Sequence, residues 1–346
     1  MKETLSFYKD RKVFVTGHNG FKGSWMCKVL TDAGADVCGL SLPLADDSPF
    51  LSMGSDPVRS IEGDVGNINE VIDAVSAFEP EIVIHMAAQP LVLESYNDPV
   101  RTYRTNVMGT VNILEAVRRC GTVASVVNVT TDKVYRNLER SEGYREDEML
   151  DGHDPYSNSK SCSELVTAAY RRSFLKDVPV STCRAGNVIG GGDRAKDRIV
   201  PDCVRCAERG ETIYLRNPNS VRPYQHVLEP VCAYLLLAAE QIRDPKLAGP
   251  YNIGPDDDST ITTQRIAEMF CNNWDGTAWK AAGGAGGPHE AGLLRLNCDK
   301  FRNTFKWRPR WDIEKAVKRT VEWYRAENDG KDMSEFTAGQ IKDYMK

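Results

Sequence analysis

Tyr156 and Lys160 lie within Asp154-Pro155-Tyr156-Ser157-Asn158-Ser159-Lys160. Asp154 is a strong helix N-cap and Pro155 suits the first helical position, so a helix starts here. That places Tyr156 and Lys160 on one face, a turn apart. A free phenol, with a pKa of about 10, is a poor base at neutral pH. An ammonium one turn away, near a helix N-terminus, favours the phenolate. Such pairs also occur by chance on helix surfaces, so the pair alone decides little. A second cluster follows the apolar run Val123 to Val129. There Thr130-Thr131-Asp132-Lys133 offers hydroxyls, a carboxyl and an ammonium at the end of a strand covered on both faces.

A third stretch supplies a place for a phosphate. Lys12-Val13-Phe14-Val15-Thr16 is a short strand that runs into Gly17-His18-Asn19-Gly20-Phe21-Lys22-Gly23, and Trp25, Met26, Val29 and Leu30 then recur at helical spacing. Strand, glycine turn and helix form the setting of a dinucleotide site, because bare backbone lets N–H groups approach a pyrophosphate at a helix N-terminus. The spacing is G-x-x-G-x-x-G. The second strand, Ala35 to Leu42, lacks the terminal carboxylate that usually meets a free 2′-hydroxyl, since Asp46 and Asp47 come later. That departure weakens the choice of NAD over NADP, and His18 and Lys22 would suit the 2′-phosphate of NADP.

The remaining strands collect further candidates. Val58 to Ile61 leads to Gly63-Asp64-Val65, with Asp64 placed for an adenine amino group. Glu81 to His85 opens into Met86-Ala87-Ala88-Gln89, whose small side chains admit a flat ring. Asp98-Pro99 caps a helix to about Arg119, and Pro179 to Cys183 is a sixth strand. Strands alternating with helices predict an α/β fold, a doubly wound parallel sheet of the Rossmann type. Gly17, Asp64, Ala87, Thr131 and Arg184 all follow strands, so one crevice is expected to gather them. From Ala185 the pattern loosens into glycine-rich loops and short helices. The expected division is 1–185, joined by 226–254, as the nucleotide-binding part, and 186–225 with 255–330 as a smaller substrate-binding α/β part. Residues 331–346 read as a loosely attached polar tail.

Composition narrows the class. A net charge of -5 without a long basic run argues against nucleic acid, and no apolar stretch approaches the roughly 20 residues of a membrane span. The N-terminus lacks the apolar core of a signal peptide. Cysteines scattered through strands and helices fit reduced thiols in the cytoplasm. Cys203 and Cys206 form a lone CxxC with no second pair, read as packing, so no metal site is expected.

These motifs together resemble the extended short-chain dehydrogenase/reductases, and within them the CDP-glucose 4,6-dehydratases. The likeness rests on Thr16 to Gly23, Thr131-Asp132-Lys133 and Tyr156 to Lys160. It rests also on His85 to Val92, Arg184 to Asp193, Arg222 to Val227 and His289-Glu290-Ala291. The resemblance implies NAD held by Gly17, His18, Asn19, Gly20, Phe21, Lys22, Gly23, Ser41, Asp64, Val65, Met86, Ala87, Ala88, Gln89 and Asn106, with Tyr156 and Lys160. It implies oxidation at sugar carbon 4 with Tyr156 as base, Lys160 on the cofactor ribose and Thr131 on the same sugar oxygen. Asp132 would protonate the departing carbon 6 hydroxyl, and Lys133 stands where related enzymes place a carbon 5 base. Gln89, Asn187, Arg198, Arg222, His226 and His289 become contacts to a nucleotide-sugar. The helices Asp98–Arg119 and Pro155–Phe174 become a homodimer interface. The chain departs from the family pattern at Leu93 to Tyr96, Asn137 to Arg140 and Asp193 to Ala195, all near the expected substrate pocket. A 4-epimerase of the same fold and a non-catalytic NAD-binding protein stay open as alternatives.

Overall fold

The computed structural model describes residues 1–54, 57–282 and 293–346. β1 (Lys12–Thr16), β2 (Asp36–Ser41), β3 (Arg59–Glu62), β4 (Ile82–His85), β5 (Ser125–Thr131) and β6 (Val180–Ala185) line up in parallel. β7 (Asn187–Ile189), β8 (Ile213–Leu215) and β9 (Val221–His226) leave this sheet, and β10 (Pro250–Ile253) returns to it beside β6. The order is β10-β6-β5-β4-β1-β2-β3, so the direction of winding reverses between β1 and β4. In sheets of this kind the ligand crevice lies at that switch point, outside the strands' carboxyl ends.

Alternating residues feed two cores. Phe14, Val83 and Val126 pack with Val71, Phe78, Ile113 and Val117 on one face. Val13, Val15, Ile82, Ile84 and Val127 pack with Trp25, Leu30, Val231 and Leu235 on the other. The strands therefore read as continuous apolar runs.

The expected caps are in place. Asp98 Oδ1 accepts from Arg101 N, and Asp154 Oδ1 accepts from Ser157 N. The helix that begins at Pro99 is broken by a π-helical turn, Arg104–Met108, before it continues over Gly109–Arg119. That wider turn rotates Asn106 into the interior, where it is 1% exposed.

A smaller part joins β9 to β7 and to β11 (Thr260–Thr262), and β8 to β12 (Trp279–Ala281). The C-terminal segment differs from expectation. It forms a helix, Met333–Tyr344, capped by Asp332 and buried through Met333, Thr337, Ile341 and Tyr344. Its apolar residues recur at helical spacing within a polar stretch, so average polarity hid an amphipathic face. Thr337 Oγ1 accepts from Trp323 Nε1 at 2.9 Å, and Tyr344 donates its hydroxyl to buried Glu229 at 2.7 Å.

Tyr344→Phe leaves the Glu229 carboxylate one donor short and is expected to cost about 1–2 kcal/mol. Truncation after Asp332 also uncovers Trp311 and Trp323 and should lower Tm by at least ~5 °C. Calorimetry checks both, and a truncated protein melting with the parent would contradict this packing.

Candidate active site

At the glycine turn the backbone itself demands glycine twice. Gly17 has φ +72°, and a Cβ there would lie 2.9 Å from Ala87 Cα and N. A Cβ on Gly23 would lie 2.0 Å from Gly17 O, whereas one on Gly20 would meet nothing closer than 3.5 Å. Gly20 is the N-cap of the helix Phe21–Asp32, and no side chain caps that end. Uncapped first-turn N–H groups beside bare backbone suit a pyrophosphate, and an NAD-type cofactor fits this cradle.

His18 offers no charge to a 2′-phosphate. Its ring fills the space of the side chain that Gly39 lacks, and it hydrogen-bonds Ser60 Oγ at 2.7 Å and Ser41 Oγ at 2.8 Å. Burial lowers its pKa to about 4, so it is neutral. Lys22 points the other way, into the field of Arg198, Asp193, Asp132 and Lys133, and burial lowers it to about 8. Neither residue offers a cation at the end of β2, which leaves NAD as the cofactor that fits. Asn19 Nδ2 donates to Leu42 O. Asp64 accepts from Gly66 N and pairs with Arg104 at 3.3 Å, and Val65 O accepts from Asn112.

At the end of β4, the N–H groups of Met86 and Ala87 both donate to Thr16 Oγ1 at 3.1 Å. Ala88 is half-buried beside them. Gln89 and Asn106 act one layer behind the crevice. Asn106 Oδ1 accepts from Gln89 N, and its Nδ2 donates to Gln89 O and Ser159 Oγ. The Gln89 amide is spent on Leu91 and Thr102.

The catalytic candidates converge beyond β5. Thr131 Oγ1 donates to Asp132 Oδ1 at 2.9 Å, and Lys133 Nζ donates to the same oxygen at 3.3 Å. Asp132 is fully buried, and its Oδ2 has no hydrogen-bond partner among the described residues. Burial raises the Tyr156 pKa, and the Lys133 ammonium and the Thr131 hydroxyl nearby oppose the rise. Lys160 lies one turn from Tyr156 on the same helix. Its Nζ donates to Val129 O at 3.1 Å, and burial, with Lys22 nearby, lowers its pKa to about 7.

The helix Pro155–Ser173 meets the sheet with a polar face: Ser157, Ser159, Lys160, Ser161, Ser163, Glu164 and Thr167 are all buried. Glu164 accepts from Thr130 Oγ1 at 2.5 Å, Thr182 Oγ1 at 2.6 Å and Arg184 Nη2 at 2.9 Å. Arg184, expected in the crevice, therefore lies beneath it: it is inside β6, and its charge is committed to Glu164 and Tyr135. Glu164 was missed by sequence reasoning, although it falls one turn after Lys160 on the same face.

The substrate candidates divide. Arg198 precedes the helix Ile199–Glu208, half-exposed, and donates to buried Asp193 at 3.1 Å. Asn187 is half-buried on β7, and Arg222 is buried on β9 with Nη1 donating to Val221 O. His226 is a core residue instead of a substrate contact. Its ring is fully buried edge-on to Trp25 and Trp311, and Nδ1 accepts from Leu228 N. His289 lies outside the described residues.

Comparison with known proteins agrees with this geometry. Residues 13–254 match the NAD dependent epimerase/dehydratase family. The chain is 43% identical to the CDP-glucose 4,6-dehydratase of Salmonella typhimurium, over 98% of each chain. It is 31% identical to the dTDP-glucose 4,6-dehydratase of Streptomyces antibioticus, over 90% of this chain and 92% of that one. An epimerase from Methanothermobacter thermautotrophicus shares the fold at a TM-score of 0.83 and 21% identity, over 95% of this chain and 96% of that one. The dTDP-glucose 4,6-dehydratase of Streptomyces venezuelae, solved with NAD, does so at 0.78 and 23%, over 92% and 98%. From the glycine turn to β10, the chain belongs to the NAD dependent epimerase/dehydratase family, with NAD as its cofactor.

Proposed function

We propose that this chain converts CDP-glucose to CDP-4-keto-6-deoxyglucose. The observation that carries the reading is the Thr131-Asp132-Lys133 cluster beside Tyr156. Oxidation at carbon 4 needs Tyr156 and Thr131, but a buried carboxyl with a free oxygen is needed only if a group leaves carbon 6. Bound NAD would take hydride from carbon 4 and return it to carbon 6. Tyr156 draws the proton from the carbon 4 hydroxyl, with the Thr131 hydroxyl and the Lys133 ammonium favouring its anion. The ketone so formed acidifies carbon 5; Lys133, once it has passed its proton to Asp132 across their hydrogen bond, removes the carbon 5 proton. Asp132, protonated, gives its proton to the departing carbon 6 hydroxyl. The Lys133–Asp132 hydrogen bond is the path by which that proton passes between them. Arg198, held by Asp193, and Arg222 suit a diphosphate by charge.

Residues 186–225 and 255–330 would form the substrate side of the crevice, with 1–185 and 226–254 carrying NAD. Membership of the family is equally compatible with 4-epimerisation, and Asp132 is the residue that separates the two. Exposed Val100, Tyr103, Met108, Leu165 and Phe174 on the helices between Pro99 and Ser173 and at their end support a homodimer. A cytoplasmic setting is supported by ten free cysteines, and no described helix is long and apolar enough to cross a membrane.

Tyr156→Phe should keep the fold and NAD binding and reduce turnover at least ~10²-fold, and near-parental turnover would remove it from the mechanism. Asp132→Asn should oxidise carbon 4 and stall, accumulating NADH absorbance on rapid mixing with CDP-glucose. If it forms 4-keto-6-deoxy product at the parent's rate, the acid assignment fails.

Lys160 yields a stability test. Its folded pKa falls from 10.5 to about 7, so between those values the unfolded chain binds the extra proton. Stability is thus lost as pH falls through that window, and the full cost of the charge is present below pH 7. Lys160→Met should raise the Tm of the cofactor-free protein at pH 6, with a smaller gain at pH 9, while abolishing turnover. A lower Tm at pH 6 would contradict this.

A further inference from the structure

His85 has no part in the chemistry above, yet it joins the glycine turn to the catalytic helix. It ends β4 opposite Thr16, the last residue of β1. Thr16 Oγ1 lies 2.7 Å from His85 Nδ1 and also accepts from the N–H groups of Met86 and Ala87, each at 3.1 Å. A hydroxyl has one proton and two acceptor lone pairs. One lone pair is taken by the Ala87 N–H and the other is shared with the Met86 N–H, which also reaches Thr16 O at 3.3 Å, so its proton goes to Nδ1, which is then the bare nitrogen of the ring. Nε2 carries the hydrogen and faces Thr110 Oγ1 at 3.5 Å. Thr110 spends its own proton on Asn106 O at 2.8 Å, so it accepts from Ser163 Oγ, also at 2.8 Å. Ser163 in turn accepts from Asn128 Nδ2. With His85 neutral and in this tautomer, every donor in this buried chain finds an acceptor. Burial keeps it neutral, lowering its pKa to about 3.

We propose that His85, as the Nε2–H tautomer, is a positioning residue for NAD. It orients the Thr16 hydroxyl so that Met86 and Ala87 are held against the glycine turn, and through Thr110 and Ser163 it ties that platform to the helix bearing Tyr156 and Lys160. The tolerance is small, since Ala87 backbone atoms already sit 2.9 Å from where a Gly17 Cβ would be. An ordinary core histidine would need only to fill space, and an apolar side chain of similar bulk could replace it. Here the ring must accept at one specific point. Asn Oδ1 falls near the place of His Nδ1, so His85→Asn keeps the acceptor and loses only the long bond to Thr110. The inference rests on the dinucleotide site and is independent of the sugar-nucleotide assigned above.

The test is calorimetric titration of cofactor-free parent, His85→Leu and His85→Asn with NAD, together with ¹⁵N imidazole spectra of the parent. The expected results are a Kd raised at least ~10-fold in His85→Leu and within ~3-fold of the parent in His85→Asn. The spectra should give an unprotonated Nδ1 and a protonated Nε2, unchanged from pH 5 to 8. A protonated Nδ1, equal weakening in both variants, or parental NAD affinity in His85→Leu would each overturn the proposal. Should His85→Leu fail to fold, the spectrum and the His85→Asn titration decide it.

Discussion

The buried Glu164–Arg184 pair fixes the register of the catalytic helix on the sheet, and the active site depends on that register. Both side chains are 3% exposed, and every contact between them crosses from helix to strand. Thr130 and Thr182 add hydroxyl donors from the two adjacent strands, so Glu164 is gripped from three directions. Removing one partner would leave an uncompensated buried charge, typically a cost of about 3–5 kcal/mol. An apolar seam tolerates small slips, whereas a set of directed hydrogen bonds does not. Lys160, one turn before Glu164, is therefore delivered to Val129 O, and Tyr156, a turn earlier, to Thr131. Polar residues take the inward face, which turns Leu165 outward and leaves it exposed.

The crevice then concentrates opposite charges from four separate segments. The glycine turn brings Lys22, the end of β5 brings Asp132 and Lys133, the helix brings Lys160, and the loop after β7 brings Asp193 and Arg198. That loop is tied by its backbone to the helix Phe21–Asp32. Gly191 O accepts from Trp25 Nε1 at 2.9 Å, and a Cβ on Gly191 would fall 2.0 Å from the Trp323 ring. Trp25 belongs to the helix that starts at the glycine turn, so that helix and the loop after β7 are joined directly. Burial among cations explains why Lys22 and Lys160 are both depressed.

Much of this was legible in residue order. Alternating strands and helices predict a doubly wound sheet, Asp98 and Asp154 predict their caps, and the glycine spacing predicts a helix N-terminus left open. What escaped the sequence depends on contacts between distant segments. His226 reads as a polar residue near the crevice, but Trp25 and Trp311 enclose it from elements far away in the chain. Arg184 reads as a strand-end cation, yet β6 runs one residue further and Glu164 claims its charge. The helix Met333–Tyr344 is polar on average, and only its docking on Glu229 and Trp323 shows the buried face. Spacing placed Lys160 beside Tyr156 correctly, while the direction of its ammonium was set by the Val129 carbonyl.

The central claim is that one site oxidises carbon 4, expels the carbon 6 hydroxyl and returns the same hydride to carbon 6. CDP-glucose deuterated at carbon 4, incubated with the purified protein in ordinary water and read by ²H NMR, tests it most directly. The account predicts a 4-keto-6-deoxy product with the deuterium in its carbon 6 methyl group. Deuterium remaining on carbon 4 of an epimerised sugar, or a 4-keto-6-deoxy product whose methyl group carries no label, would contradict it.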